Sequence, residues 1–484
     1  MKKLLISTLA VGALFAAPSV EELQMQLQKQ MEIIQNLQKQ IQELKKSQTE
    51  TKSLKEEVQQ IKEMAVENQQ KVNPIVANNH LFWSFDLKSN YDFIQYKLSN
   101  GDKKTNNVLS NRARLTAVAK PSDNLKATLQ VEANNIFGMN GNNNMNVLGW
   151  DNSAWTASET PDDTNLRVSQ AFFNYHFGPE NALMFSAGRR PATEGFPANL
   201  RENDSPNSPL AHLINMEFDG FSFKVGNEIF SNMSESFSDW GTWIKFCAGR
   251  GYSSNTGKFS QYPYSKNHLK INDFAGMIIV PYDDGQYSLW AEIVKAWNVK
   301  GMYDTDGDMI PDTMDDAGNY FGLNAIFKAA GIGDEISDFL DDTTAFVSFA
   351  MSKTSPKAGK TMLGTSDNKT GTSIWIGADM PGFADSDRFG VNFVHGSKYW
   401  RNMTYGEDTL IGSIAATRGN AYEVYYHHQI IPHLTAGLRA TLIDYDYTGS
   451  NAFFGEDGTP IDVDDMPTAV DKATDIRAYI RYNF

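Results

Sequence analysis

The sequence predicts an all-β, antiparallel transmembrane barrel of 16 strands, with 18 as the next count, preceded by an α-helical coiled coil. Three observations carry that prediction. From Leu81 onward, apolar side chains recur at every second position through segment after segment, the period of a two-faced strand. Tight turns alternate with long polar segments, as in a barrel whose two ends differ. The final strand ends in an aromatic residue, Phe484.

Composition limits the alternatives. The 484 residues carry a formal charge of −15, and 12% are aromatic, too many for a disordered chain. Cys247 is the only cysteine, so no disulfide framework exists. Past the N-terminus, no uncharged apolar run approaches the ~18 residues of a membrane helix. The acidic balance argues against a nucleic-acid partner.

Residues 1–17 have the three-part form of a signal peptide: Lys2-Lys3, an apolar run from Leu4 to Phe15, then Ala16-Ala17 for cleavage. Loss of the two lysines takes the mature charge to −17. No cysteine follows, which excludes a lipid anchor. Residues 18–73 read as a periplasmic coiled-coil stalk. Leu23, Leu27, Met31, Ile34, Leu37, Ile41 and Leu44 step by three and four, and a second seam runs from Leu54 to Val72 after a phase break. Such a narrow stripe needs partner helices, and a homotrimer is the preferred arrangement. A single solvated helix or a linker is the alternative.

Residues 75–484 read as the barrel. The clearest hairpin sets Ala113, Leu115, Ala117 and Ala119 against Leu125, Ala127, Leu129, Val131 and Ala133, with Arg112, Arg114, Glu132 and Asn134 on the opposite face. Tight turns are expected at Lys120–Asn124, Gly178–Asn181, Asp219-Gly220, Asp283–Gly285 and Ile431–His433. Long loops are expected at Gly138–Asn165, Pro191–Pro209, Lys300–Asn319, Ser355–Thr372 and Thr448–Asp471. Reading strands between them gives about seventeen, among them His212–Phe218 and Phe221–Phe230. Closed single-chain barrels prefer an even number, hence 16.

The last strand puts Ile476, Ala478, Ile480, Tyr482 and Phe484 on one face. With Ile480, Tyr482 and Phe484 at alternate positions, it resembles the C-terminal assembly signal of bacterial outer-membrane barrels. Together with the stalk and the hairpins, the chain resembles the outer-membrane porin superfamily. It particularly resembles a porin-like group of epsilon-class proteobacteria with an N-terminal coiled coil. Arg167–Gly178 and Ala187–Pro191 more distantly resemble phosphate-selective-type porins. The resemblance implies passive diffusion of small hydrophilic solutes through a trimeric channel. It also implies contact with outer-membrane lipids and lipopolysaccharide, and handling by the barrel assembly machinery. No phosphate-binding ladder can be matched residue by residue.

On the trusted polar faces, basic residues outnumber acidic ones. Arg112, Arg114, Lys120, Lys126, Arg190, Arg439, Arg477 and Arg481 stand against Glu132, Glu292 and Glu423. A basic wall favours anions; positions at the rims, paired with loop carboxylates or lipopolysaccharide, are the alternative. Pro191–Pro209, with Glu194, Arg201, Glu202 and Asp204, is either an inward-folding constriction or an ordinary surface loop. Asp304, Asp306, Asp308, the Ile310 carbonyl, Asp312 and Asp315 follow the ligand spacing of a calcium loop. Met309 stands where Gly is usual, and a solvated acidic loop is the alternative. His176, His395, His427, His428 and His433 are not tied by spacing to a serine or an acid, so no enzyme is expected. His427-His428 reads as part of an interfacial aromatic belt. The functions in view are a porin with a mild anion preference, and a structural or adhesive barrel. The latter would be tethered to the cell wall and bind partners through calcium-ordered loops.

Overall fold

The computed structural model describes residues 80–137, 166–191, 193–216, 218–253, 270–307, 313–333, 336–404 and 410–484. The expected signal peptide and stalk lie outside the described residues. So do Asp308, Ile310 and Asp312.

Sixteen strands form the wall: β1 (Leu81–Leu98), β2 (Lys103–Ser122), β3 (Leu125–Ile136), β4 (Arg167–Phe177), β5 (Leu183–Arg190), β6 (Phe218–Val225), β7 (Trp243–Ser253), β8 (Lys270–Asp283), β9 (Tyr287–Tyr303), β10 (Thr313–Ala330), β11 (Thr344–Pro356), β12 (Thr370–Pro381), β13 (Arg388–Gly396), β14 (Gly419–Ile431), β15 (Leu434–Tyr445) and β16 (Val470–Asn483). Each pairs antiparallel with its sequence neighbour, and β1 pairs with β16 from Asp86↔Asn483 to Leu98↔Val470, closing the barrel. Closure leaves no free sheet edge.

The alternation seen in sequence sets the two faces, and their polarity is inverted relative to a soluble sheet. On β16, Ile476, Ile480 and Tyr482 point outward and are exposed, while Arg477, Tyr479 and Arg481 point inward and are buried. On β1 to β3, Trp83, Tyr91, Leu109, Leu115 and Leu129 are exposed, whereas Lys88, Asp92, Arg112, Arg114 and Glu132 are buried. Hydrocarbon is the solvent that makes such an exterior stable. The two ends also differ. One has the turns Asp123-Asn124, Gly178–Ala182, Asp284–Gln286, Gly382–Asp387 and Pro432-His433; the other has most of the long connections, at 137–166, 191–217, 397–418 and 446–469.

One expected hairpin is absent. Asp219-Gly220 is not a turn but lies inside β6, where Asp219 pairs in register with Arg189 and Gly220 with Gly188. The expected strand His212–Phe218 is therefore no strand of its own: Phe218 opens β6, while Leu210–Met216 folds into the lumen and is buried there. That removes one strand from the seventeen read in sequence. The expected loop Lys300–Asn319 is also shorter, because β9 runs to Tyr303 and β10 starts at Thr313, pairing Tyr303 with Thr313 and Gly301 with Asp315. The two histidines part company as neighbours in a strand must. His427 is buried and bonds Tyr479 OH, while the half-exposed His428 donates from Nδ1 to Asp387 Oδ1 at 2.9 Å.

Two other long connections fold over the insert and are stapled together by Arg418, which is fully buried. Its Nε donates to Trp400 O at 2.9 Å, and its Nη1 donates to Thr448 O at 2.8 Å and Gly458 O at 2.9 Å. Gly371 makes room for this layer: a Cβ there would sit 2.2 Å from Trp400 N. Hydrogen bonds from a charged donor contribute roughly 1.5–3 kcal/mol each. Arg418→Met should therefore loosen residues 446–469 while leaving the strands paired. Limited proteolysis of the folded barrel should show faster cleavage in that stretch, and unchanged cleavage would refute the staple.

Candidate functional site

The site is built around segment 193–216, which leaves β5 and turns into the lumen. It folds back on itself: Asn207 N donates to Glu194 O at 3.1 Å, and Ala211 N to Phe196 O at 3.0 Å. Gly195 permits this close crossing, since a Cβ there would lie 1.8 Å from Pro209 O. A 3₁₀ turn, Ala198–Glu202, buries Asn199, Arg201 and Glu202, and Asn203 ends it in the left-handed region at φ 53°. Asn tolerates that conformation better than most residues.

The front of this segment meets a belt of charges. Glu194 Oε1 accepts from Arg114 Nη1 at 2.7 Å and from Arg112 Nη1 at 3.4 Å. Glu202 accepts from Lys88 Nζ at 2.5 Å and from Arg439 Nη1 at 3.0 Å. Asp204 Oδ2 accepts from Arg481 Nη2 at 3.0 Å. Arg201 reaches Glu423 in a bidentate pair, Nε to Oε1 and Nη2 to Oε2, both at 2.6 Å. Wall-to-wall pairs extend the belt: Arg114–Glu132 at 2.6 Å, Arg112–Asp86 at 3.3 Å, Arg481–Asp86 at 2.7 Å and Arg477–Asp92 at 2.5 Å. Seven cations (Lys88, Arg112, Arg114, Arg201, Arg439, Arg477, Arg481) thus face seven carboxylates (Asp86, Asp92, Glu132, Glu194, Glu202, Asp204, Glu423).

The back of the segment is apolar. Phe196 and Leu210 pack in one buried cluster with Ile326, Phe346 and Trp375, and Leu213, Ile214 and Met216 in another with Phe274, Val294 and Tyr320. Burying each of these side chains contributes roughly 1.5–3 kcal/mol. His212 sits between, with Nδ1 2.7 Å from Ser348 Oγ and Nε2 2.9 Å from Ser373 Oγ. Burial pushes its pKa down to about 3, so the ring is neutral at ordinary pH. The segment therefore touches β1, β2 and β14–β16 through charge and β8–β12 through apolar contact. It crosses the lumen.

Asp204 is the acidic tip. Burial raises its pKa to about 6 against the pull of Arg481, with Glu194 and Glu202 adding to the rise. The folded value lies above the unfolded one of 3.8. Its contribution to docking is complete below the unfolded pKa and is lost as pH climbs through about 6. Limited proteolysis of segment 193–216 should accordingly be slower at pH 5 than at pH 8. Asp204→Asn should abolish that difference, and an unchanged pH dependence in this variant would count against the assignment.

Among the residues singled out in sequence, the structure brings Arg112, Arg114, Arg439, Arg477 and Arg481 together with Glu194, Arg201, Glu202 and Asp204. Lys126 lies apart, exposed near the turn end of β3. Arg190 lies apart too, donating to Ser222 Oγ. Asp86, Lys88 and Asp92 were missing from the sequence tally, although their places on the polar face of β1 were visible. Of the acidic hairpin, Asp304 Oδ1 accepts from Gly307 N at 2.7 Å, and Asp315 is in β10, paired with Lys360 at 2.7 Å. Among the described residues, no cluster of three or more His, Cys, Asp or Glu could hold a metal ion. At the C-terminus, Ile480, Tyr482 and Phe484 all face outward, and Phe484 N donates to Phe85 O at 3.0 Å.

A family described as "Protein of unknown function (DUF3373)" matches residues 102–484. No curated protein matches the chain. Among solved structures, it is similar to Pseudomonas putida OprB at high pH, with 13% identity over 85% of this chain and 96% of that one, at a TM-score of 0.49. It is also similar to an anion-selective porin from Comamonas acidovorans, with 11% identity over 84% and 99% and a TM-score of 0.44. Salmonella typhi OmpF in complex with daunomycin shows 12% identity over 84% and 98%, with a TM-score of 0.43. At these identities and scores, none of the three bears on activity.

Proposed function

The chain belongs to this DUF3373 family, whose description assigns no activity. From that premise we propose an outer-membrane channel of the porin type, passing small hydrophilic solutes by diffusion, with segment 193–216 as its constriction. The observation that carries the reading is the inverted polarity of a closed barrel, with lipid-facing Ile, Leu and Tyr outside and a charged belt within. By the usual loop asymmetry, the turn end faces the periplasm and the long-loop end faces outward. The belt's ion pairs balance, with the buried Asp475 beside Asp92 and Arg477 as a further carboxylate, so a mild anion preference rests on wall cations outside it, such as Lys120 and Lys126. The terminal strand serves as the signal for the barrel assembly machinery, and the stalk joins three copies.

A second reading is a closed structural or adhesive barrel, and one observation favours it. Lys88, Asp92, Glu423 and Arg439 are all shut away from water, and apolar contacts also cross the lumen. In this reading the Asp-rich hairpin is ordered by calcium and presented to partners. Planar bilayers separate the two: stepwise channels from the purified protein support the porin, and a silent barrel supports the alternative. Calcium should protect the 304–312 hairpin from protease, and Asp304→Ala/Asp306→Ala should abolish that protection. Equal cleavage with calcium and with chelator would end the calcium reading.

A further inference from the structure

Away from the belt, a cavity of about 30 Å³ lies between the wall and the second leg of the insert. Arg190 on β5, Lys245 and Cys247 on β7 and Glu292 on β9 line it, together with Ser208 and apolar Ile214, Met216, Phe274 and Val294. Both cations are buried. Unlike the cations of the belt, neither forms a close carboxylate ion pair among the described residues; Glu292 faces Lys245 only at longer range. Arg190 Nη1 donates to Ser222 Oγ, and Lys245 Nζ donates to Ser208 Oγ at 3.1 Å. Lys224 on β6 stands directly opposite Lys245 in register, and like charges in that position repel. Glu292, also buried, keeps Oε2 without any hydrogen-bond partner.

Buried charge without compensation is strongly unfavourable. Arg190 and Lys245, with Lys224 beside them, leave positive charge around the cavity that one monovalent anion would offset. The volume admits a small ion, and the polar groups that line it suit a monovalent one. The geometry points to a structural binding site for a small monovalent anion, a halide among them, between Arg190 and Lys245. The ion would pin Ser208, and with it the insert, to β5 and β7. The inference requires only the barrel and its insert, and holds whether or not the barrel conducts.

The full-length protein, purified in detergent, tests it with bromide as probe. Crystals grown with bromide should show an anomalous peak between Arg190 and Lys245. At constant ionic strength, replacing gluconate with chloride should raise the unfolding midpoint in a saturable way. Lys245→Met should lose that increment, and Arg190→Lys should weaken it. Bromide found only on surface lysines, or an undiminished chloride increment in Lys245→Met, would overturn the site. If Lys245→Met does not fold, the bromide map of the unaltered protein decides alone.

Discussion

Glu423→Ala should release the insert from the wall and give the largest single-residue effect on conductance. Glu423 is fully buried and accepts both guanidinium bonds from Arg201. It also accepts from Thr441 Oγ1 at 2.9 Å and Asn392 Nδ2 at 3.2 Å. Removing it strands Arg201 in the lumen without its acceptor, which costs about 3–5 kcal/mol. Arg201→Ala should do less, because Glu423 keeps Thr441, Asn392 and the nearby Arg439. Glu423→Gln should fall between them. Single-channel recording should show a larger and noisier conductance in the order Glu423→Ala, Glu423→Gln, Arg201→Ala. Trypsin should cut the folded Glu423→Ala barrel at Arg201. A folded variant with unchanged conductance and an intact Arg201 bond would refute the constriction.

The second large effect concerns charge. Glu194→Gln with Glu202→Gln leaves the belt's seven cations facing five of their seven paired carboxylates, with Asp475 beside them. The potential in the lumen then turns positive, and a change of one kT per unit charge alters the local concentration of each ion roughly threefold, in opposite directions for anions and cations. Reversal potentials in a potassium chloride gradient should shift toward anions. The shift should shrink at molar salt, where the Debye length is only about 3 Å. Lys88→Met with Arg439→Met should move selectivity the other way. If both pairs leave the reversal potential where it was, ions do not pass the belt.

Much of the barrel was legible because a strand needs only period two to declare its faces. The Arg112 and Arg114 strand, its partner with Glu132, and the Ile476-to-Phe484 face all stand as their spacing indicated. The proximity of Arg112 to Arg481 was also accessible, since the first and last strands of a closed barrel must meet; both contact Asp86. The failure at His212–Phe218 has a physical cause. An apolar run reads alike whether hydrocarbon or a protein interior receives it, so the segment passed for a wall strand.

Sequence alone therefore determined which side chains face lipid and which face inward, because alternation is a local property of the chain. It also supplied the charged residues of the insert. Only the tertiary structure decided that Glu194, Arg201, Glu202 and Asp204 meet Arg114, Glu423, Lys88 and Arg481 respectively. Those partners lie up to 277 positions apart, as the Arg481 contact to Asp204 shows. Contacts at such separations depend on how the closed wall brings its strands around the lumen, which no local pattern records.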